Sequence, residues 1–450
     1  MVIAMAMRKS VVIPALVATF AVGWAYKGGF TAGIVGGVSA IYNANIVAAT
    51  ELFGIILLIS FMVSMLNALR KVGADHALVT PIQKLMINGH VAYWVLFGAT
   101  AIISTAFWPT PAVPLVAAIL MPAALRAGLP PMGVAIAVTL SGQGMALASD
   151  ALMRVAPAIS AGAMGNQGLT EAIWAKGIVL TLVVGAVASV WSYMQIAKSI
   201  KRPEEVGDVA LGQVAAAAAP MKGAQDSALA KPMAYTTILA FVLVVVAMIV
   251  LDLKGGDAGA LVGGTAAAIM LITSIIAHGK DAFDEVADRL TEGFGFAIKI
   301  MGSIIPIAAF FFLGAASNSA KVLGENAPGF LFDMVTAIQS YIPQNEFIAA
   351  FGVLAVGLLA GFDGSGFSGL PITGALSGAL AQGTAVDPTM LAAVGQMGNI
   401  WTGGGTIIAW SSLVAVAGFA GVSAVDLARR NFVPVIVGLI LATIVAVILW

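Results

Sequence analysis

Residues 432–450 read FVPVIVGLILATIVAVILW, an apolar run without a charged side chain. A helix needs about 20 apolar residues to cross the hydrocarbon core of a bilayer, whereas a barrel strand needs about ten residues of alternating polarity. This run does not alternate, and neither do the runs 178–190 and 236–251. Lipid offers no partners for backbone groups, so such runs must close their hydrogen bonds within helices. The sequence therefore predicts an all-α polytopic membrane protein.

The composition supports this class and excludes others. Of 450 residues, 60% are hydrophobic and 9% are charged, whereas soluble domains carry about 25% charged residues. The 21 basic and 21 acidic residues balance, so nothing favours binding of nucleic acid. Cysteine is absent and only three histidines occur, which leaves no thiolate metal site, no disulfide and no clustered catalytic motif. We therefore expect the lipid bilayer as partner, no enzymatic activity and no cofactor.

The chain divides into two halves that resemble each other. A polar, alanine-containing interval at 198–231 separates residues 1–197 from residues 232–450 and is typical of a linker. Thr50-Glu51-Leu52-Phe53-Gly54 matches Thr291-Glu292-Gly293-Phe294-Gly295, where we expect a helix to open in each half. Further correspondences follow in the same order, which favours duplication over convergence of Gly/Ala-rich membrane sequence. Duplicated apolar chains with interruptions at matching places are typical of secondary transporters.

The strongest interruption is at residues 361–371, which read GFDGSGFSGLP. Each glycine within a helix costs up to about 1 kcal/mol, and glycine lets the backbone approach a ligand closely. Asp363 is a candidate for a coupling cation or proton, because a carboxylate at membrane depth indicates function. The backbone and hydroxyls of Gly364, Ser365, Gly366 and Ser368 are candidates for substrate binding. The alternative is a surface loop with a capping aspartate.

The matching interruption at 108–114, WPTPAVP, has proline where its counterpart has glycine, and Thr110 is its one candidate side-chain ligand. Each half then has a second glycine-rich interruption, at 141–144 and at 398–406. Their amide and hydroxyl groups could bind a carboxylate or sodium, although ordinary interhelical hydrogen bonds are the alternative. The candidates are Ser141, Gly142, Gln143, Asn399, Thr402, Gly403, Gly404 and Thr406.

The chemistry of such interruptions is specific. Half-helix N-termini direct partial positive charge at an anion, and freed carbonyls can coordinate a cation. A possible Na⁺ site is expected near Asp363 and Asn399, and no other metal site is expected. Asp150 could belong to the coupling-ion site or cap the next helix, and both interpretations stay open.

This pattern resembles the ion transporter superfamily of secondary carriers, which includes citrate, dicarboxylate and gluconate permeases. The resemblance covers nearly the whole chain and implies two inverted-topology repeats with re-entrant hairpins, discontinuous helices and an elevator-type mechanism in a homodimer. By matched position, the hairpins are at about 108–127 and 363–383, and the broken helices at about 132–149 and 388–406. The Ser-Asn-Thr signatures of sodium-coupled dicarboxylate carriers are absent at both tips.

The sequence and the resemblance together favour a secondary active transporter that couples a cation or proton to symport of a small organic anion, a carboxylate, by alternating access. The expected location is the bacterial inner membrane. The alternative on the same scaffold is a sodium–proton antiporter in which Asp150 and Asp363 titrate. A channel and a membrane-embedded enzyme are weaker alternatives.

Overall fold

The computed structural model describes residues 12–200, 227–251, 253, 255–314, 316–330, 333, 345–363, 366–383, 386–409 and 412–450. Regular structure in these residues is helical, without a strand. The all-α prediction is therefore confirmed. The centre of the expected 198–231 linker lies outside the described residues.

The helices of the first half follow one another with short connections. Proline occupies the first position of α5 and of α6, where its missing N–H costs nothing. The helices are α1 Val12–Lys27, α2 Thr31–Lys71, α3 Ala74–Gln83, α4 Gly89–Phe107, α5 Pro109–Arg126, α6 Pro131–Ser149, α7 Val155–Ala163 and α8 Thr170–Ile196.

The described helices of the second half end in the long apolar run at the C-terminus. They are α9 Ala230–Val250, α10 Gly255–His278, α11 Ala282–Phe312, α12 Ala316–Leu323, α13 Glu346–Ala360, α14 Leu370–Gly383, α15 Pro388–Gly403, α16 Ser412–Ala420 and α17 Ala424–Leu449.

Seven helices in the described part of the chain are long and apolar enough to cross a membrane. Helix α2 has 41 residues and is therefore roughly 60 Å long, about twice the hydrocarbon thickness. Its first part exposes Val35 and Tyr42, whereas Leu52, Ile59 and Leu66 farther along are buried. The helix starts expected near Glu51 and Glu292 are wrong, because both residues lie inside longer helices, α2 and α11.

The two halves share a helix start and a pattern of packing. Helices α4 and α13 both begin after an asparagine cap, since Asn88 accepts from the N–H of Val91 at 2.9 Å and Asn345 from that of Ile348 at 3.1 Å. Packing between the halves is reciprocal: α2 lies against α11, α8 against α17, α7 against α14 and α16 against α5.

Several polar contacts join α2 to the second half. Lys321 on α12 donates to Glu51 at 2.5 Å, and Asn67 donates to Glu292 on α11 at 2.8 Å. The hydroxyl of Ser64 also donates to the Arg289 carbonyl at 2.8 Å. Helix α2 therefore pairs with the second half along its polar C-terminal part as well as through its apolar face.

Helix α15 is fixed at its N-terminus by charge. Asp387 caps the helix, accepting from the N–H and the hydroxyl of Thr389, and Lys176 on α8 donates to the same carboxylate. Burial opposes ionisation of Asp387, but these hydrogen bonds outweigh it and hold the pKa of the carboxyl below its ordinary value. The ion pair therefore fastens α8 to the start of α15.

Substitution of Asp387 is expected to lower thermal stability in two steps. Asp387→Asn keeps the cap but loses the charge, and Asp387→Ala loses both, with the cap alone contributing about 1 kcal/mol. At neutral pH, the unfolding midpoint in detergent should be highest for the wild type, lower for Asp387→Asn and lowest for Asp387→Ala.

The same series has a pH dependence. Because the folded-state pKa of Asp387 is lowered, its stabilisation is complete above the unfolded-state pKa and is lost as the pH falls through the folded-state value. The difference between wild type and Asp387→Asn should shrink in that acidic range. A constant difference at all pH values would contradict this role.

Candidate functional site

Two interruptions of the helical chain meet inside the protein. Helix α4 ends at Phe107 and α5 begins at Pro109, and Trp108 between them has a backbone φ of 68°. The counterpart is the segment 361–369 between α13 and α14, which begins with a short 3₁₀ turn, Gly361–Asp363. The rings of Trp108 and Phe367 lie 5.2 Å apart, and both side chains are buried. The connection between α4 and α5 therefore contacts the connection between α13 and α14.

Glycine lets the described residues of the segment 361–369 lie directly on α15 and the turn after it. A Cβ at Gly361 would be 2.8 Å from the Asn399 carbonyl oxygen, and one at Gly369 would be 2.3 Å from Asn399 Oδ1. The Asn399 amide donates to the Gly366 carbonyl at 2.7 Å. Any side chain at these glycines would push the segment off the helix, so this contact explains the glycine content that the sequence shows.

Helix α15 is continuous through Gly398 and ends at Gly403, so the break begins later than the expected 398–406. Gly404 to Thr406 form a turn in which Gly405 has a φ of 105°. The Thr406 hydroxyl donates back to the Trp401 carbonyl. The Ser412 hydroxyl at the start of α16 lies 2.7 Å from the Gly404 carbonyl oxygen and 2.9 Å from Gln143 Oε1.

The expected break at Ser141–Gly144 is wrong. Helix α6 continues without interruption and contains a π-helical segment, Thr139–Ala146. Its glycines allow close packing, since a Cβ at Gly142 would be 2.9 Å from Ser104 Oγ and one at Gly144 would be 2.3 Å from the Trp401 ring. Single π-turns occur frequently at functional sites. The hydroxyl of Ser141 donates to the Ala137 carbonyl at 2.6 Å, within its own helix.

The true interruption of the first half follows at Asp150–Arg154. Both residues have positive φ, 41° and 53°. An Asp150 oxygen accepts the N–H of Ala156 at 2.7 Å, at the start of α7, and Arg154 donates to Glu171 at 2.6 Å. Of the two interpretations left open for Asp150, this geometry matches capping of the next helix.

A residue that the sequence analysis missed joins the two halves of the site. The buried Asn431 amide of α17 donates to Thr139 Oγ1 at 3.0 Å and to the Thr406 carbonyl at 2.9 Å. It therefore links the π-helical segment to the turn after α15. An amide near the start of an otherwise apolar span was the available signal, but the adjacent Arg429 and Arg430 made it look like part of a polar helix end.

The structure describes some of the remaining candidate residues and not others. Ser368 is buried in the turn before α14, and Gly403 ends α15. Gly364 and Ser365 lie outside the described residues, as do the side chains of Thr110 and Asp363. The structure thus brings together Gln143, Gly366, Asn399, Thr402 and Gly404. We call the region around these residues the junction.

Several polar atoms at this junction are buried without a hydrogen-bond partner among the described residues. They include Gln143 Nε2, Asn399 Oδ1, Thr402 Oγ1, Trp401 Nε1 and Asn431 Oδ1. Such atoms are costly unless water or a ligand satisfies them. The described residues contain no group of three or more His, Cys, Asp or Glu that could hold a metal ion. The neutral oxygens of Asn399 and Thr402 fit a hard cation such as Na⁺ better than a transition metal.

Helix ends converge at the same junction. The N-termini of α5, α14 and α16 face it through Trp108, Gly369 and Ser412, and the C-termini of α13 and α15 adjoin it at Gly361 and Gly403. N-termini stabilise negative charge and C-termini stabilise positive charge. The junction is therefore suited to hold an anion and a cation close together.

The contact between α13 and α15 generates a test. A Cβ at Gly357 would lie 2.5 Å from the Gly395 carbonyl oxygen, whereas one at Gly352 on the same helix has no neighbour within 4 Å among the described residues. We expect Gly357→Ala to destabilise the protein by about 1–3 kcal/mol through overpacking. Gly352→Ala should be neutral or stabilising by up to about 1 kcal/mol, because alanine favours helix.

The measurement is the thermal unfolding midpoint of both purified variants in the same detergent. Equal midpoints for the two variants would show that α13 does not pack against α15 in this way.

Comparison with known proteins identifies a relative of the chain. No family model matches it. The chain is 34% identical over 422 residues to the uncharacterized membrane protein YhfA of Bacillus subtilis (strain 168), and the alignment covers 92% of this chain and 89% of that protein. Together with its apolar helices, this similarity shows an integral membrane protein that belongs to the same family as YhfA.

Proposed function

We propose that the protein is a secondary active transporter that couples a cation or a proton to symport of a small organic anion. The observation that carries the proposal is the buried junction where two interrupted helix pairs meet, with Trp108 and Phe367 5.2 Å apart. Non-helical backbone at membrane depth is tolerated where it is buried in protein or lines a cavity, and transporters use it to bind substrate.

The arrangement gives each part of the junction a role. The substrate carboxylate is held near the N-termini of α14 and α16, where backbone N–H groups and the Gln143 amide can donate. The coupling cation is held by oxygens near the C-termini of α13 and α15, including Asn399 Oδ1 and Thr402 Oγ1. Asp363, which follows α13, supplies the charge that a cation or proton neutralises.

Neutralisation must come before movement across the membrane. An uncompensated charge in hydrocarbon is costly, so anion and cation cross together. We propose that the junction moves as one body relative to a scaffold containing α2 and α11, by alternating access of the elevator type. The reciprocal packing of α7 on α14 and α16 on α5 supports inverted repeats.

The broader assignments rest on resemblance. We propose membership of the ion transporter superfamily, a homodimeric assembly and a location in the bacterial inner membrane. The alternative, a sodium–proton antiporter, requires Asp150 and Asp363 to titrate in turn. The hydrogen bond from Ala156 to Asp150 favours the symporter, because it gives Asp150 a structural role.

Asp363→Asn tests the coupling. We expect it to abolish uptake driven by an imposed sodium or proton gradient while exchange of labelled substrate across proteoliposomes continues, because binding is retained but the coupling charge is lost. Gradient-driven uptake by this variant would remove Asp363 from the coupling site.

The matched control is Asp150→Asn, which removes a carboxylate from the other interruption. It should lower the unfolding midpoint but keep gradient-driven uptake.

A second experiment distinguishes a sodium–proton antiporter from a symporter. Liposomes that contain the protein and a pH-sensitive dye receive a sodium gradient without any organic anion. A change in internal pH under these conditions would favour the antiporter and count against symport.

A further inference from the structure

A cavity separate from the junction lies where α2 and α10 approach α7 and the start of α8. Its volume is about 480 Å³, within the range of about 300–1,000 Å³ that is typical of ligand sites. Its walls combine two charged residues, Glu51 and Arg154, with apolar side chains that include Leu57, Leu58 and Phe61. The cavity is therefore amphipathic, and none of the junction residues lines it.

The opening of the cavity lies between α2 and α10, two of the helices that are apolar enough to cross a membrane. Gly54 and Gly264 line it and are exposed, and a Cβ at either glycine would meet no neighbour within 4 Å among the described residues. Gly264 shares a helix face with Leu271 and Ile275, which are also exposed. The cavity is therefore open on the side of the protein that faces lipid.

Arg154 brings a positive charge to the cavity and is only partly satisfied. Its Nη1 donates to Glu171 at 2.6 Å, and the guanidinium lies over the Trp174 ring at 4.2 Å. The residue is 9% exposed, and its Nε has no hydrogen-bond partner among the described residues. A buried donor of this kind is costly unless a ligand or water accepts from it. The planar fork of an arginine matches the oxygens of a phosphate.

Glu51 brings a negative charge to the same cavity. One carboxylate oxygen, Oε1, accepts from Lys321 at 2.5 Å. A carboxylate has two oxygens and about four acceptor positions, so Glu51 can accept further hydrogen bonds from a ligand in the cavity. An ammonium group that carries N–H donors fits this carboxylate.

The pair of charges selects the kind of headgroup. A lipid with a phosphate alone meets Arg154 favourably but leaves Glu51 without a partner and repels it. A quaternary ammonium carries a charge but no N–H group to donate to the carboxylate. A headgroup with both a phosphate and a primary ammonium complements both residues.

From these observations we propose that the cavity binds one phospholipid whose headgroup combines a phosphate with a primary ammonium group. The phosphate accepts from Arg154, the ammonium donates to Glu51, and an acyl chain packs along Leu57, Leu58 and Phe61. This proposal concerns a structural lipid and does not depend on the proposed transport function.

The test uses the full-length protein, purified in detergent and stripped of lipid. The probes are phosphatidylethanolamine, phosphatidylcholine, phosphatidylglycerol and diacylglycerol, all with the same two oleoyl chains. Native mass spectrometry counts the bound lipid, and titration gives its Kd. We expect one phosphatidylethanolamine per chain, with a Kd at least about 10-fold lower than for the other three, because each of them lacks a charged hydrogen-bonding group.

A variant that fills the cavity tests its location. Gly264→Leu places a side chain in the open space of the cavity and should abolish the binding of phosphatidylethanolamine. The matched control is Gly352→Leu on α13, an exposed glycine outside the cavity whose Cβ likewise has no neighbour among the described residues. This control should bind the lipid as the wild type does. Unfolding midpoints without lipid show whether both variants are folded.

A second pair of variants tests the ammonium partner. Glu51→Gln should remove the preference for phosphatidylethanolamine over phosphatidylglycerol, because the negative charge is lost. The control is Glu292→Gln, at the matching position of the second half, where the carboxylate accepts from Asn67 outside the cavity. It should keep the preference.

Three results would overturn the proposal. One is an equal Kd for phosphatidylethanolamine and phosphatidylglycerol in the wild type, which would remove the ammonium from recognition. Another is unchanged binding by a folded Gly264→Leu, which would place the lipid elsewhere. The third is displacement of the lipid by an equal concentration of soluble glycerophosphoethanolamine, which would show that the site takes a free headgroup and needs no acyl chain.

Discussion

The structure depends on satisfying backbone groups where the chain stops being helical inside an apolar protein. Lipid cannot supply partners, so an interruption must be buried against other protein. The described residues of the segment 361–369 meet this constraint by lying on α15, with the Asn399 amide bonded to the Gly366 carbonyl at 2.7 Å. Glycine is required at the contact because no Cβ fits there. The position of α15, fixed by Asp387 and Lys176, is in turn what makes this contact possible.

The polar side chains of the junction serve two purposes. Asn399, Asn431 and Ser412 satisfy backbone or side-chain partners across elements, and so hold the interruptions of the two halves together. Gln143, Asn399 and Asn431 each also keep one amide atom without a partner among the described residues, and such an atom is costly in a buried polar network. A site that is both well held and incompletely satisfied is what a binding site for a small polar ligand requires.

Sequence reasoning predicted the class of protein, the interruption at 361–371 and helices that begin near 132 and 388. It was wrong at Ser141–Gly144, because glycine pairs can serve close helix packing in a π-turn as readily as they unwind a helix. It ended this helix at about 149 and left open a cap at Asp150, but it could not predict the positive φ of Asp150 and Arg154, since neither residue is a glycine. Asn431 could not be assigned, because its partners, Thr139 and Thr406, lie far away in sequence and only the fold unites them.

The length of α2 has a mechanical consequence. One uninterrupted helix begins at the surface of the protein, where Val35 and Tyr42 are exposed, and continues into the interior, where Ile59 and Leu66 are enclosed by the core. A rod about twice as long as the hydrocarbon layer is thick has to lean or protrude. Strain from a thicker or thinner bilayer would reach α11 directly through this rod, which makes the inner packing sensitive to the surrounding lipid.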